Sequence, residues 1–336
     1  MSARDVLIVD WLGRGGIAQT SEAWRQVLTD SGLSTSVATI AGRELVPDHS
    51  IGGRGRITRH VRLAAEVTRV IQRDRPRVVV IQNHVIPLLE TRVHAAARRV
   101  GATIIFVVHD DRLHTLRAGI GVGFRRLAEQ ADVVVAHSAY VANRLGRPTE
   151  VLPLPIALGL LGAPRPERVL EQADLPIALH FGVVKRGYKG VERVVELALV
   201  CSDRWRFCIA GVGSRPAPGV VALEGFLEAG HLCRLIEESA VTLLPYRIAT
   251  QSGAVALSQA IGSVTVASAV GGIPEQIEHG TTGLLIPPDG SIQAWQDALE
   301  LLSDPAVRRS MADAGRAAVQ RRHHEFSAGV IRLCRP

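Results

Sequence analysis

Short runs of valine and isoleucine alternate with helical patterns along this chain, and this alternation limits its fold more than any other feature of the sequence. The runs are apolar on both faces, as expected for strands that are buried between two layers of helices. Strands that alternate with helices form βα units, and these units build parallel sheets. In the first half, helical patterns such as Ile17–Asp30 and Ile57–Arg73 separate five predicted strands: Val6–Asp10, Thr35–Ile40, Val78–Gln82, Thr103–Val108 and Val133–Ala136.

The alternation is interrupted once, in the proline- and glycine-rich stretch Val151–Arg165. A length of 336 residues also fits two domains, since a domain commonly has about 100–200 residues. We therefore predict an α/β protein with two Rossmann-like, doubly wound parallel-sheet domains, residues 1–155 and 156–320, which face a central cleft that holds the ligands. The second series of predicted strands comprises Pro176–Phe181, Arg206–Ala210, Val241–Leu244, Ser263–Ala267 and Leu284–Pro287.

The composition excludes several classes of protein. With 47% hydrophobic residues the chain can fill two cores, so it is not a disordered chain. The uncharged stretch Ile248–Pro274 is broken by polar residues and glycines, and we therefore expect no transmembrane helix. The N-terminus lacks the pattern of a signal peptide, and the four cysteines form no close pair. We expect a reduced, cytoplasmic protein without a zinc cluster.

The lysines of this chain are confined to one loop. Lys185 and Lys189 are the two lysines among 39 basic side chains, and Arg186 lies between them. The net charge of +7 favours anionic partners, whereas the sequence has no recognition motif for nucleic acid. Three cations between a strand and a helix suit a diphosphate, whose oxygens they would contact. The alternative is a solvated surface loop.

Two loops of the first half carry groups suited to a ligand. Gly15 and Gly16 follow the first predicted strand and precede a helix, so their backbone can approach an anion closely. His109 follows the fourth strand and precedes Asp110 and Asp111. A histidine there can hydrogen-bond a substrate hydroxyl or act as a base near neutral pH. The alternatives are a plain tight turn for the glycines and a capping His–Asp pair for His109.

A long loop of the second half offers backbone amides to an anion. Gln251, Ser252 and Gly253 precede a predicted helix that ends near Ile261. Ser252 and Gly253 suit the start of that helix, where amides remain open. A glycine pair and then Glu275 follow the next predicted strand. The alternative is two ordinary βα loops.

The helical pattern Ile57–Arg73 is basic and amphipathic. Arg59, Arg62, Arg69 and Arg73 share one face, and apolar side chains lie on another. Such a helix can make peripheral contact with an anionic membrane or with a phosphorylated acceptor. The alternative is a solvated face of a helix that packs on its own domain.

Together and in this order, these loops resemble those of the retaining GT-B glycosyltransferases of family 4. The resemblance covers nearly the whole chain, and Gly271–Glu275 and His279–Gly290 look like the nucleotide-sugar domain of that family. It implies a GT-B architecture with an N-terminal acceptor-binding domain and a C-terminal donor-binding domain. Residues 321–336 would form a tail that returns to the first domain.

The resemblance also implies roles for individual residues. His109, Lys185 and Lys189 would be the catalytic residues: His109 contacts the donor sugar, and Lys189 grips the leaving diphosphate together with Lys185 or Arg186. The implied donor-binding residues are Gly15, Gly16, Arg186, Gln251, Ser252, Gly253 and Glu275.

The sequence departs from the family pattern at one pair of residues. Many members have two glutamates separated by seven residues, and Gln251 and Gln259 have that spacing here. Counting back from a later glycine puts the pair at Ala249 and Leu257 instead. Neither register contains a carboxylate, so the chain resembles a variant branch with Gln-Ser-Gly at this position.

The function implied by the resemblance is transfer of a sugar, typically a hexose, from a nucleoside-diphosphate sugar to a hydroxyl or amine acceptor with retention. No metal or other cofactor is expected, since the sequence has no Asp-x-Asp motif. Natural-product or cell-envelope glycan biosynthesis would be the setting. Two alternatives are a sugar-nucleotide epimerase on the same architecture and a catalytically degenerate scaffold that binds sugar nucleotides.

Overall fold

The computed structural model describes residues 5–40, 47–52, 55–109, 118–156, 158–171, 174–184 and 187–335. The chain divides into two compact units. The first unit is Met1–Ala157 together with His324–Pro336, and the second is Leu158–His323. Each unit is built on one parallel β-sheet.

A seven-stranded parallel sheet is the centre of the first unit. Its strands are β1 (Val6–Asp10), β2 (Thr35–Ile40), β3 (His49–Ile51), β4 (Val78–Gln82), β5 (Thr103–Val108), β6 (Val133–Ala136) and β7 (Glu150–Val151). Their order is β3-β2-β1-β4-β5-β6-β7, so the direction of the order reverses between β1 and β4. Ligands of doubly wound proteins bind at such a reversal, outside the carboxyl ends of the strands. Asp10 and Gln82 are register partners at those ends.

Helices cover both faces of this sheet because each helix has one apolar side. They are α1 (Gly15–Asp30), α2 (Arg56–Asp74), α3 (Pro87–Arg99), α4 (Ala118–Gln130) and α5 (Ala139–Leu145). α2, α3 and α4 bury their apolar sides on one face, and α1 packs on the other. The last helix of the chain, α11 (Pro305–Cys334), joins α1 there through its final turns. Trp24 and Phe326 meet edge to face, with ring centroids 5.9 Å apart.

A six-stranded parallel sheet forms the second unit. Its strands are β8 (Ile177–Phe181), β9 (Arg206–Gly211), β10 (Val220–Glu224), β11 (Val241–Leu244), β12 (Val264–Ser268) and β13 (Gly283–Ile286). The order β10-β9-β8-β11-β12-β13 again reverses once, between β8 and β11. The helices of this unit are α6 (Leu158–Leu161), α7 (Val191–Cys201), α8 (Ala229–Glu237), α9 (Gly253–Ile261), α10 (Ile292–Leu301) and the first part of α11.

The predicted fold class, two doubly wound parallel α/β sheets, is confirmed. All ten predicted strands are present, with ends that agree to within one residue. β3, β7 and β10 were not predicted from the sequence, and each of these is the outermost strand on its side of a sheet. β3 and β7 are short and partly exposed, so they lack the apolar run on both faces that marks a central strand. β10 has four consecutive apolar residues, Val220–Leu223, all half-buried, and it was missed although this run is present in its sequence.

Candidate functional site

Two loops meet at the carboxyl ends of β8 and β11, where the order of the second sheet reverses. The backbone amide of Arg247 donates to the carbonyl oxygen of Tyr188 at 3.0 Å. The ammonium nitrogen of Lys189 lies 3.7 Å from the centroid of the Tyr246 ring. Gly190 then lies so close to Pro245 that a β-carbon at residue 190 would be 1.7 Å from the proline carbonyl oxygen. These three contacts join residues 188–190 to residues 245–247 in antiparallel order, and we call them the paired loops.

Lys189 presents a cation that no carboxylate of the described residues neutralises. Its ammonium nitrogen is also 5.3 Å from the Tyr188 ring, which stacks on Tyr246 with an angle of 22° between the ring planes. Below it, the buried His180 donates from Nδ1 to the carbonyl oxygen of Leu243 at 2.8 Å. Burial lowers the pKa of His180 to about 4, and the charge of Lys189 acts in the same direction. His180 is therefore neutral at physiological pH. Lys185 and Arg186, which were predicted to act with Lys189, lie outside the described residues.

The start of α9 lies at the same edge of the second sheet. Ser252 precedes the helix, and its hydroxyl accepts a hydrogen bond from the amide of Val255 at 3.3 Å. The side chain of Gln276 holds both backbone groups of Ser252: its Oε1 accepts from the amide at 2.7 Å, and its Nε2 donates to the carbonyl at 3.0 Å. Gly253 is exposed at the first helical position, where amides have no acceptor inside the helix. The sequence analysis found Ser252 and Gly253 but missed Gln276.

Gln259 is an internal residue of the second unit. It is buried in α9, and its Nε2 donates to the carbonyl oxygens of Gln276 and Thr282, both at 3.2 Å. Its Oε1 accepts a hydrogen bond from Arg322. Gln251, by contrast, precedes the helix and is half-buried. The spacing that relates these two glutamines in the sequence therefore does not put both of them on the ligand-facing edge.

The loop after β12 is held against the loop that precedes α9. Gly271 has a φ angle of +58°, and a β-carbon there would be 1.5 Å from the carbonyl oxygen of Ala249. Glu275 is exposed at the end of a short 3₁₀ turn, Ile273–Glu275, and directly precedes Gln276. The structure thus brings Glu275 to the same group of loops as Ser252.

The predicted residues of the first unit lie at the carboxyl edge of its own sheet. Gly15 and Gly16 are exposed at the start of α1, with open space where their β-carbons would be. Gly13 begins the same glycine stretch: its φ angle is +60°, and a β-carbon would be 2.4 Å from the carbonyl oxygen of Ile40. Gly15 also has a positive φ angle, +64°. The buried Asp10 organises this turn, since its Oδ1 accepts from the amides of residues 12 and 13 at 2.8 and 2.9 Å.

His109 is buried at the end of β5. Its Nε2 donates to Oε1 of Gln82 at 2.8 Å, and its ring lies 5.1 Å from that of His137. Burial holds the pKa of His109 well below its ordinary value of 6.5, and the neighbouring His137 contributes to this. His109 is therefore neutral, and with its proton on Nε2 its other ring nitrogen, Nδ1, is a hydrogen-bond acceptor. Asp110 and Asp111 lie outside the described residues.

A buried carboxylic acid lies on α3, close behind the same edge. Oε1 of Glu90 accepts from the amides of Val85 and Ile86 at 2.5 and 2.8 Å, and Oε2 is buried without a partner among the described residues. Burial raises the pKa of Glu90 from 4.5 to about 7. Two histidines are buried nearby. His84 packs against Phe106 and Phe124, and His94 packs against Phe106. Burial lowers the pKa values of both histidines to about 4.

The basic face predicted for residues 57–73 lies on α2, and its charges are partly paired. Arg69 pairs with Glu66, and Arg73 pairs with Asp74. Arg59 is half-buried, whereas Arg62 is exposed. Ion pairing weakens the attraction of this face to an anionic surface, and peripheral membrane contact stays a prediction.

Among the residues that the structure describes, no helix is long and apolar enough to cross a membrane. The same residues contain no group of three or more histidine, cysteine, aspartate and glutamate side chains that is suited to a metal ion.

Part of the chain matches a family of glycosyl transferases. The family described as Glycosyl transferases group 1 matches residues 176–304, which contain the paired loops and α9. An alpha-D-kanosaminyltransferase of Streptomyces kanamyceticus is 29% identical over 42% of this chain and 40% of its own length. A D-inositol 3-phosphate glycosyltransferase of Corynebacterium aurimucosum is 29% identical over 56% of this chain and 53% of its own length. The chain thus matches about half of the length of these relatives.

Solved structures establish the architecture. A sucrose-phosphate synthase of Thermosynechococcus elongatus superposes with a TM-score of 0.76 at 17% identity, covering 99% of this chain and 98% of that one. Anabaena HepE in complex with UDP-glucose superposes with a TM-score of 0.75 at 16% identity, covering 98% and 97%. The two doubly wound sheets and these likenesses identify the GT-B fold.

Proposed function

We propose that this chain is a glycosyltransferase that takes a sugar from a nucleoside-diphosphate sugar. One observation carries the proposal: the unneutralised ammonium of Lys189 stands at the switch point of the second sheet, in the part of the chain that matches glycosyl transferases group 1. The start of α9, with open amides, belongs to the same sheet edge. A diphosphate is the ligand chemistry that suits an ammonium and a helix start together.

In the proposed reaction, the bond between the anomeric carbon and the diphosphate oxygen breaks with the electron pair leaving on the diphosphate. The acceptor oxygen or nitrogen bonds to the anomeric carbon from the same side, so the configuration is retained. The acceptor proton passes to a phosphate oxygen. Lys189 stabilises the charge that develops on the diphosphate, with Lys185 or Arg186 as its partner. Removing one preorganised group of this kind costs about 2.7–4 kcal/mol of transition-state stabilisation.

We assign His109 to the donor sugar rather than to proton transfer. A histidine whose pKa lies well below its ordinary value is a poor base at neutral pH. Its hydrogen bond with Gln82 orients the ring, as a group that positions a sugar hydroxyl requires. Gly15 and Gly16 would approach the reaction centre, and Gln251, Ser252, Gly253 and Glu275 would contact the donor.

Metal independence and the biosynthetic setting are also parts of the proposal. The first is supported by the absence of an Asp-x-Asp motif from the sequence. The names of the two relatives specify transfer of a kanosaminyl group and action on an inositol phosphate, and we propose a polyhydroxylated acceptor of natural-product or cell-envelope biosynthesis for this chain.

Thermal shift with UDP, GDP, dTDP and ADP tests the donor site. A ligand at about 100 times its dissociation constant stabilises the native state by about 2.7 kcal/mol, so one nucleotide should raise the melting temperature of the wild type. Lys189→Ala should lose this response. Arg69→Ala removes the same charge from an exposed helix of the first unit and should keep it. If no nucleotide stabilises the wild type, the proposal is wrong.

Incubation of the matching nucleotide sugar with and without candidate acceptors separates transfer from epimerisation. Transfer releases a nucleoside diphosphate only when an acceptor is present and gives a product with the anomeric configuration of the donor. Turnover of the nucleotide sugar alone would favour the epimerase, and binding without any turnover would favour the scaffold.

A further inference from the structure

We propose that Tyr246 is a positioning residue that holds the ammonium of Lys189 on the face of its ring, ready for the diphosphate of the donor. The inference rests on the proposed function, because the diphosphate is the ligand for which the cation is held. It gives a role to an aromatic residue that is not among the site residues predicted from the sequence.

The contact between Lys189 and Tyr246 has the geometry of a cation–π interaction. A cation within about 6 Å of a ring centroid is attracted by the negative face of the ring. The ammonium nitrogen of Lys189 lies well inside this limit, at 3.7 Å from Tyr246, and near its margin at 5.3 Å from Tyr188. Tyr246 is therefore the main aromatic partner of the cation, and Tyr188 is a second, more distant one.

The Tyr246 ring is fixed by its packing, and its hydroxyl makes no hydrogen bond to the described residues. The residue is 2% exposed and packs in an apolar cluster that includes Leu244, Val255 and Ile273. Its hydroxyl oxygen is buried and has no hydrogen-bond partner among the residues that the structure describes. An unpaired buried hydroxyl lowers stability, so the hydroxyl does not explain the position of the ring, whereas the cation on its face does.

An aromatic ring also differs in charge from a carboxylate, the usual partner of a lysine. A carboxylate partner would hold a lysine equally well but would neutralise it and would repel a diphosphate. A ring holds the cation without bringing a negative charge. The two neighbouring contacts of the paired loops, at Arg247 and Gly190, keep the backbone on either side of Lys189 in place. The cation is therefore positioned before any ligand arrives, which reduces the side-chain entropy lost on binding.

The scarcity of lysine allows a direct test without any ligand. Reductive methylation with ¹³C-formaldehyde labels Lys185, Lys189 and the N-terminal amine, and it keeps their positive charge. Lys189→Arg and Lys185→Arg assign the signals. The methyl protons of Lys189 should be shifted upfield by the ring current of Tyr246. The shift should persist in Tyr246→Phe, which keeps the ring face, and disappear in Tyr246→Leu. An unshifted Lys189 signal in the wild type, or the same shift in Tyr246→Leu, overturns the inference.

Nucleotide affinity provides the functional test. Holding one flexible side chain in advance contributes about 0.5–1.5 kcal/mol, so Tyr246→Leu should bind the preferred nucleoside diphosphate about 2- to 13-fold more weakly. Tyr246→Phe should bind as the wild type does. If Tyr246 acts through Lys189, then Tyr246→Leu should have no further effect in a Lys189→Ala background.

The outcomes separate the two proposals. If the wild type binds one of UDP, GDP, dTDP and ADP but Tyr246→Leu binds it equally well or better, the positioning role is wrong and the donor site stands. If the wild type binds none of them, the proposed function is wrong and the role of Tyr246 falls with it. Circular dichroism and the melting temperature of each variant exclude unfolding as the cause of a lost signal, and Tyr246→Phe keeps the test decisive if the leucine variant does not fold.

Discussion

The substitution Glu90→Gln removes the charge of a buried carboxylate and keeps nearly the same side-chain shape. The carboxylate accepts two backbone hydrogen bonds through Oε1, and a glutamine keeps an oxygen at this position. Oε2 has no partner among the described residues, so the substitution breaks no hydrogen bond of that oxygen. The variant should therefore keep the fold. The unpaired buried amide group of the glutamine lowers stability by the same amount at every pH, so the dependence of stability on pH isolates the effect of the carboxylate charge.

The sign and size of this difference follow from the pKa. Burial raises the pKa of Glu90 from 4.5 to about 7, so the folded chain binds more protons than the unfolded chain between these values. The free energy of unfolding consequently falls as the pH rises through this window. At about 1.36 kcal/mol per pKa unit, the contribution falls by about 2.5 kcal/mol between pH 5 and pH 8. His84 and His94 have lowered pKa values and act in the opposite direction, but both proteins contain them, so their effects cancel in the difference.

Urea unfolding between pH 5 and pH 8 measures this difference. Trp11 and Trp24 lie in the first unit, so replacing Trp205 and Trp295 by phenylalanine in both proteins makes the fluorescence report on that unit alone. The glutamine variant should gain about 2.5 kcal/mol relative to its parent from pH 5 to pH 8. An exposed acid of the same unit, changed by Glu129→Gln, should give no such gain. A difference that stays constant across this pH range would refute the reasoning.

Three other substitutions test the loops. Gly190→Ala should abolish nucleotide-induced stabilisation because its β-carbon would overlap the carbonyl oxygen of Pro245. The control Gly187→Ala has the same sign of φ and open space around its β-carbon, so it should lower the free energy of unfolding by only about 1–2 kcal/mol. Melting curves with and without nucleotide compare the two variants, and equal behaviour would contradict the role of the contact. Gln276→Ala leaves the backbone amide of Ser252 without its acceptor, while the Ser252 carbonyl still accepts from the amide of Ala256 at 3.3 Å. The variant should lower the free energy of unfolding by about 1–3 kcal/mol, measured by urea unfolding, and an unchanged free energy of unfolding would contradict the role of Gln276 in holding this loop. Asp10→Ala removes the acceptor of two backbone amides and should destabilise the first unit by about 2 kcal/mol or more. The loss should be measurable as faster hydrogen exchange in α1, and unchanged exchange would contradict the role of Asp10 in this turn.

The sheets were predictable from the sequence because central strands leave a strong signal. A run such as Val78–Gln82 is apolar on both faces, and few other structures bury five consecutive side chains. Two of the edge strands leave no such signal, since β3 has three partly exposed residues and β7 has two. They form because a neighbouring strand offers hydrogen bonds, and that neighbour is not visible in their own sequence.

The residues of the site were predictable only in part. The scarcity of lysine marked Lys189, and the serine before a helical pattern marked Ser252. Tyr246 carried no signal, because an aromatic residue after a buried strand looks like any other core residue. The spacing of Gln251 and Gln259 suggested a pair of ligand contacts, and this suggestion was false. Gln251 precedes α9 whereas Gln259 lies inside it, and the spacing alone does not show where the helix starts. Gln276 acts on a backbone 24 residues away, a contact that no local pattern contains.

The assignment of the last turns of α11 to the first unit has a consequence for synthesis in the cell. Phe326, Val330 and Cys334 complete the apolar layer around Trp24, yet the ribosome adds them after the whole second unit. At about 5–20 residues per second, the first unit waits roughly 10–30 s for this part of its core. During that interval the nascent chain exposes an apolar surface to chaperones and proteases. The second unit, whose residues are continuous in the chain, has no comparable delay. Expression temperature and chaperone supply should therefore affect the folding of the first unit more than the folding of the second.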